Sequence, residues 1–427
     1  MKLRWLAALG PDPRGVLSWA LYDFANTIFS MNIVTLYFAL WVTVDHSAPD
    51  LLYSVAFSGS MLATAVTAPM LGAVSDRYGR RIPFLLSFTL LCVVAVASIG
   101  VFDGLALGLL AFAVGNFGYQ SGLIFYDALI GTVSTPDIRG RVSGLGVALG
   151  YVGAILGILM VKPFVDAGGR SAAFVPTAVL FLVFAIPCFL WVREQGPTGR
   201  WRFGYLREGY QQLFTTLRNA RKHGPVLRFI LARFFYVDAI NTVIAFMGVY
   251  AVKVLGFADG QLQQLLILST VFAAVGSFAY GALVDRIGPK RTLGLVLVQW
   301  ALVLLAVAAT SAQAAFYAIG AVIGVGLGAT WTADRVFLTR LAPPEQAGEF
   351  FGLYGLAGRF ASVVGPMVWG LTLWTLGDFG TLAYRIGVLV LLGQLLVGAF
   401  ILIGVRQQPA GPAGAGAAGE LEAVRPS

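Results

Sequence analysis

The sequence predicts an all-α integral membrane protein, with twelve transmembrane helices in two pseudo-symmetric six-helix bundles. Three observations predict it. Hydrophobic residues make up 58% of the 427 and charged residues only 11%, whereas a water-soluble chain carries roughly 25% charged residues. Most of such a surface needs lipid as its solvent. Apolar runs of bilayer-spanning length, roughly 20 residues each, recur along the whole chain. A charged, glycine-punctuated loop between the second and third runs returns between the eighth and ninth.

Runs bounded by charge, glycine or proline place the spans at 16–44, 51–75, 83–101, 105–131, 142–164, 171–191, 227–252, 260–284, 291–310, 313–338, 349–375 and 382–404. The first follows Lys2, Arg4, Pro11, Asp12 and Arg14. It is too long for a signal-peptide core and lacks a small-residue cleavage site, so it is expected to remain as a span. The 52 glycines suit helices that approach closely in lipid. The expected units are a first bundle over 1–192, a basic amphipathic linker over 193–226, a second bundle over 227–407, and a disordered tail over 408–427 rich in Ala, Gly and Pro.

Orientation follows from Lys and Arg, which concentrate on the cytoplasmic side of membrane proteins. With the N-terminus inside, the inner segments collect Arg77, Arg80, Arg81, Arg139, Arg141, Arg286, Lys290, Arg291, Arg335, Arg340 and the linker cations Arg193, Arg200, Arg202, Arg207, Arg218, Arg221 and Lys222. The outer segments hold only Lys162, Arg170, Lys253 and Arg385. Both termini are therefore expected in the cytoplasm, and the chain in the plasma or inner membrane. In the linker, Tyr205, Leu206, Tyr210, Leu213, Phe214 and Leu217 recur near helical spacing, which predicts a helix lying on the cytoplasmic leaflet with its cations towards anionic lipid.

Several functions are excluded. Cys92 and Cys188 each sit alone in an apolar run, and His46 and His223 fall in loops, so no metal site or cofactor is expected. The net charge of +9 is explained by the loops, without nucleic acid. No G-x-x-x-x-G-K-[ST] phosphate loop, H-E-x-x-H motif or other catalytic constellation occurs, so the chain is expected to be neither an ATPase nor an enzyme.

The repeat is explicit. Gly72-Ala-Val-Ser-Asp76-Arg77-Tyr-Gly79-Arg80-Arg81 is echoed by Gly281-Ala-Leu-Val-Asp285-Arg286-Ile-Gly288-Pro-Lys290-Arg291, at an offset of 209. Asp23-Phe-Ala-Asn26-Thr27 in the first span is echoed by Asp238-Ala-Ile-Asn241-Thr242 in the seventh, and Gly140-x-x-x-Gly144-Leu145 by Gly348-x-x-x-Gly352-Leu353. Parallel repeats of this kind place a substrate site between the halves near the midplane.

The loop resembles the signature of the major facilitator superfamily, present here in both halves. Trp19-Ala-Leu-Tyr22-Asp23-Phe24-Ala25-Asn26, Gly140-Arg141-Val142-Ser143-Gly144-Leu145-Gly146 and Glu349-Phe350-Phe351-Gly352-Leu353-Tyr354 are similar to the "unknown major facilitator" family, which includes the fungal autophagy-related vacuolar effluxer. That resemblance runs from the first span to the eleventh. It implies a secondary transporter, with amino-acid efflux the activity associated with the fungal members. The tenth span departs from the family pattern, reading Thr330-Trp331-Thr332-Ala333-Asp334-Arg335, and Arg359 stands where the family tends to have Lys.

An ionisable group in the bilayer costs roughly 2.5–3.5 kcal/mol on insertion scales and needs a partner or water. Asp23 with Asn26, and Asp238 with Asn241, each share a helix face and are candidates for binding substrate or a coupling proton; the other reading is a packing network at the helix starts. Arg359 is a candidate for holding a carboxylate or phosphate bidentately, the other reading being a pair with Asp23 or Asp238. Tyr22, Tyr119, Gln120, Tyr236 and Trp331 are candidates for the pocket wall. The loop residues Asp76, Arg77, Arg80, Arg81, Asp285, Arg286 and Arg291, together with Arg141 and Arg335, are candidate gate elements. As the resemblance implies, Asp127 is expected to pair with Arg77 or Arg80, and Asp334 with Arg286 or Arg291. The expected function is secondary active transport of a small zwitterionic or anionic solute, with protons as the candidate coupling ion, by a monomer among membrane lipids. The alternatives are a lipid flippase or scramblase, a drug exporter, and a non-transporting nutrient receptor.

Overall fold

In the computed structural model, residues 12–102, 104–135, 138–194, 210–211, 214–215, 218, 223–342 and 347–406 are described. Among them, twelve helices are long and apolar enough to cross a membrane. We label them α1 (Pro13–Asp45), α2 (Asp50–Tyr78), α3 (Ile82–Ile99), α4 (Leu105–Val133), α5 (Arg139–Gly168), α6 (Phe174–Trp191), α7 (Gly224–Leu255), α8 (Asp259–Ile287), α9 (Pro289–Ala309), α10 (Gln313–Leu341), α11 (Ala347–Thr375) and α12 (Thr381–Ile403). An even number of crossings puts residues 12 and 406 on one face of the bundle, here termed the terminal face; the opposite one is the far face.

Local chemistry sets the ends. Asp12 caps α1, accepting from the Gly15 N–H at 3.0 Å, with Pro13 in the first turn where its missing donor costs nothing. Gly79 ends α2 with φ 78°, a left-handed conformation that favours glycine. The Glu194 carboxylate accepts from the backbone N–H of Arg81 and Ile82 at 2.6 and 2.9 Å, so the end of the first half caps the start of α3. Several helices run three or four residues beyond their apolar runs, because polar residues at the membrane surface continue the ladder. In α1 the turn widens over Ser30–Tyr37 and again over Trp41–Asp45 into π-helix, a local feature that apolar periodicity does not reveal.

The main seams of one half have counterparts in the other. α1 packs on α5 and α6 as α7 packs on α11 and α12; α3 packs on α4 and α6 as α9 packs on α10 and α12; α2 packs on α4 as α8 packs on α10. Small residues make this possible. A Cβ on Gly153 of α5 would lie 2.4 Å from the Phe24 carbonyl, and one on Gly328 of α10 would lie 2.0 Å from the Ala273 carbonyl.

Between halves, α2 runs tightly along α11: a Cβ on Gly370 would lie 2.4 Å from Ser54 Oγ, and Ser58 Oγ donates to the Val363 carbonyl at 2.8 Å. The α5–α8 seam is looser, tied by Tyr151 and Ser277 at 3.4 Å. Tyr210, Gln211, Phe214, Thr215 and Arg218 of the linker are helical, and Tyr210 Oη donates to the Val66 carbonyl at 2.8 Å. The expectations for Tyr205, Leu206, Leu213 and Leu217, for the 408–427 tail, and for the side chains of Asp76 and Arg77 lie outside the described residues.

Candidate functional site

The halves are tied at the far face and part towards the terminal face. Among the described residues, no cross-half hydrogen bond or ion pair lies nearer the terminal face than Tyr151–Ser277. The charged groups of the cleft come from α1, α4, α10 and α11.

From the first half come Asp23 and Asp127. Asp23 is half-buried on α1, beside Gly150 of α5, where a Cβ would lie 3.2 Å from its Oδ2 and 3.0 Å from Thr27 Oγ1. The glycine therefore leaves room for this carboxylate. Asp127 of α4 is exposed yet within reach of charges from the second half, as expected of a group that faces an internal cleft. From the second half come Arg335 of α10, exposed, and Arg359 of α11, half-buried with its Nε buried and without a partner. The charges of Arg359 and Arg335 act on Asp127, and that of Arg335 acts on Asp23. Yet no hydrogen bond or ion pair joins any of these four side chains to another described residue. The cleft thus has acids on one wall and guanidinium groups on the other, with their hydrogen-bonding capacity unspent.

The neutral candidates divide. Tyr119 packs at a tilt on Phe29, ring centroids 4.5 Å apart, and Tyr119, Gln120 and Trp331 are half-buried. Asn26 is buried with Nδ2 unpaired. Tyr22 does not line the cleft: it is fully buried, bonded to Thr89 at 2.7 Å and stacked on Tyr126, so it joins α1 to α3 and α4.

Asp238 departs furthest from its expected role. It is fully buried, accepting from the Gly365 N–H at 2.8 Å and from Gln394, and so it ties α7 to α11 and α12. Asn241 donates to Ser362 Oγ at 2.8 Å. The repeat motif is shared, but only Asp23 is left open to the cleft. Arg359 pairs with neither acid.

Among the described residues, neither Asp127–Arg80 nor a pair of Asp334 with Arg286 or Arg291 is present. Asp334 is buried within the second half. It accepts from Arg233 Nε at 2.7 Å, from Tyr354 Oη at 2.7 Å and from Tyr236 Oη, while Arg233 stacks over the Tyr354 ring at 3.6 Å. Asp285, Arg286 and Arg291 are exposed and make no hydrogen bond or ion pair with a described residue, and Arg80 and Arg141 likewise. Asp127 makes no pair with Arg80. A buried carboxylate is held by the partner that shares its desolvated site, and the exposed loop cations lie outside it. Arg233 lies within the seventh span, but nothing in one dimension joins it to Asp334.

The comparisons agree with this architecture. A model of the family described as "Vacuole effluxer Atg22 like" matches residues 50–408. The "Uncharacterized MFS-type transporter YxiO" of Bacillus subtilis is 27% identical over 408 residues, covering 89% of this chain and 93% of that one. "Autophagy-related protein 22-1" of Neosartorya fischeri is 25% identical over 262 residues, covering 54% of this chain and 43% of that one. Among solved structures, a bacterial homologue of the human lysosomal transporter Spinster, in an inward-facing and unoccupied conformation, superposes with a TM-score of 0.73 at 14% identity, covering 94% of this chain and all of that one.

Proposed function

The chain belongs to the Atg22-like vacuole effluxer family of multi-pass major facilitator transporters, and from that premise we propose that it carries a small zwitterionic, amino-acid-like solute by alternating access. The observation that carries this reading is the charge polarity of the cleft. Asp23 and Asp127 would take an ammonium group from one wall. Arg359, with Arg335 nearer the terminal face, would take a carboxylate from the other, where a guanidinium offers two parallel donors. A solute bearing both charges would draw the two halves together, which is the differential contact that alternation requires.

The excess of Lys and Arg on the terminal side supports placing that face in the cytoplasm of a cell-membrane protein. The conformation described here would then be open inward. Asp23, water-accessible and unpaired, is the acid we assign to a coupling proton.

A thermal-shift screen of the purified protein tests the substrate class, since a ligand that binds only the folded state raises Tm with concentration. Stabilisation by amino acids, and not by their amides or decarboxylated amines, is expected; equal response to all three would remove the two-charge site. The loose α5–α8 seam favours one second reading, an amphipathic lipid-like solute entering from the side. Stabilisation by zwitterionic lysolipids alone would select it.

A further inference from the structure

Asp50 and Asp259 stand 209 residues apart, the spacing of the repeated loop, and each is the first residue of its helix, α2 and α8 respectively. Each reaches a cation of the opposite half. Asp50 Oδ2 receives the Lys253 ammonium at 3.4 Å and the Tyr384 hydroxyl at 2.8 Å, from the end of α7 and the start of α12. Asp259 Oδ1 receives Arg170 Nη2 at 2.7 Å, from the start of the α6 segment. The other arm of Arg170 holds Asp45 at the end of α1.

The donors come from equivalent corners, the junctions of α7 with α12 and of α1 with α6. We propose that these are two copies of one latch, produced by the duplication, and that together they hold the far face shut. The proposal rests on the alternating-access reading above and assigns the far-face closure to Asp50 with Lys253 and Asp259 with Arg170.

Two features suit a latch that opens and recloses. Each acid sits in the first turn of a helix, where the backbone N–H groups and the helix dipole favour a negative charge. A released carboxylate therefore keeps part of its stabilisation. The pairs are also incompletely buried, with side-chain exposures of 26% and 5% for Lys253 and Asp50 and of 14% and 30% for Arg170 and Asp259. Water can replace the partner as the halves separate. A sealed pair such as Arg233–Asp334, at 6% and 0%, has no such route.

The test uses spin labels on cysteines introduced at His46 and Asp378, exposed far-face positions in opposite halves, in a background with Cys92 and Cys188 replaced. Distances are measured in lipid without solute, so a failure here is separate from a failure of the substrate assignment. Asp50→Asn and Asp259→Asn should each raise the ratio of long to short distances about tenfold, within the usual range of coupling between sites. Combined, their effects should multiply, as free energies of separated sites add.

Lys253→Met should reproduce the shift of Asp50→Asn, and combining the two should add nothing to either alone, because both remove the same contact. Unchanged distances in the Asp50→Asn/Asp259→Asn variant, one single variant producing the whole effect, or effects of Asp50→Asn and Lys253→Met that multiply would each overturn the proposal.

Discussion

Asp127 of α4 faces Arg359 of α11 across the cleft, close enough for the charge of each to act on the other, and no ion pair closes between them. A buried guanidinium nitrogen without an acceptor is costly unless something else occupies its place for part of the cycle. In the reading given above, the solute carboxylate is that occupant. Arg359→Ala should weaken binding of a carboxylate-bearing solute by about 10- to 100-fold, the scale of a hydrogen bond to a charged group. Arg359→Lys should recover part of the loss, keeping the charge without the two-point geometry. Affinities from ligand-dependent thermal shifts check this, and unchanged affinity in both variants contradicts it.

The two repeated acids should behave as different kinds of residue. Asp23→Asn breaks no described side-chain hydrogen bond and neutralises an unpaired charge within a span, so Tm should hold or rise. Uptake into proteoliposomes should lose its response to an imposed proton gradient. Asp238→Asn instead turns one of two acceptor oxygens into a donor facing either the Gly365 N–H or Gln394. An unmet buried group of this kind costs about 1–3 kcal/mol, and a lower Tm should show it. A normal Tm in Asp238→Asn, or a retained proton response in Asp23→Asn, counts against the division.

That division marks how far the sequence can be read. Twelve spans and two repeats were legible because lipid imposes length and composition on every crossing, and the Asp76 and Asp285 loops share Gly-Ala-x-x-Asp-Arg-x-Gly in register. The distinct fates of Asp23 and Asp238 were not legible, because their surroundings are built by distant residues. Gly150 leaves Asp23 open, whereas Gly365, followed by Pro366, gives its N–H to Asp238. The Gly365-Pro366 pair was the available signal, since proline interrupts the helical ladder. For Asp334 there was none: its partners, Arg233, Tyr236 and Tyr354, come from two other helices.

Arg233 and Asp334 should matter to folding more than to gating. Arg233→Ala leaves a buried carboxylate facing two tyrosine hydroxyls, and losing one member of a buried pair costs about 3–5 kcal/mol. Replacing both members by apolar residues, Arg233→Met with Asp334→Leu, should cost less than Arg233→Ala alone. Arg286→Ala, at an exposed cation, should change stability by no more than about 0.5 kcal/mol. Unfolding in detergent with a common denaturant series ranks the three. A larger effect from Arg286→Ala than from Arg233→Ala would reinstate the loop as the partner of Asp334.

The closest helix approach in the second half sets a last expectation. A Cβ on Gly328 of α10 would lie 2.0 Å from the Ala273 carbonyl and 2.8 Å from the Ser277 backbone nitrogen. Both obstacles are backbone, so no rotamer change relieves them, and α8 must move away from α10. Overpacking of this kind costs about 1–3 kcal/mol, and Gly328→Ala should lower Tm and the monodisperse yield. It should also loosen the α5–α8 seam, because Ser277, the residue displaced, is the partner of Tyr151. Gly131→Ala on α4, with nothing within 4 Å of the added carbon, is the matched control. Alanine favours a helix over glycine by about 1 kcal/mol, so its Tm should hold or rise. If the two variants melt together, backbone contact at Gly328 does not set the α8–α10 spacing.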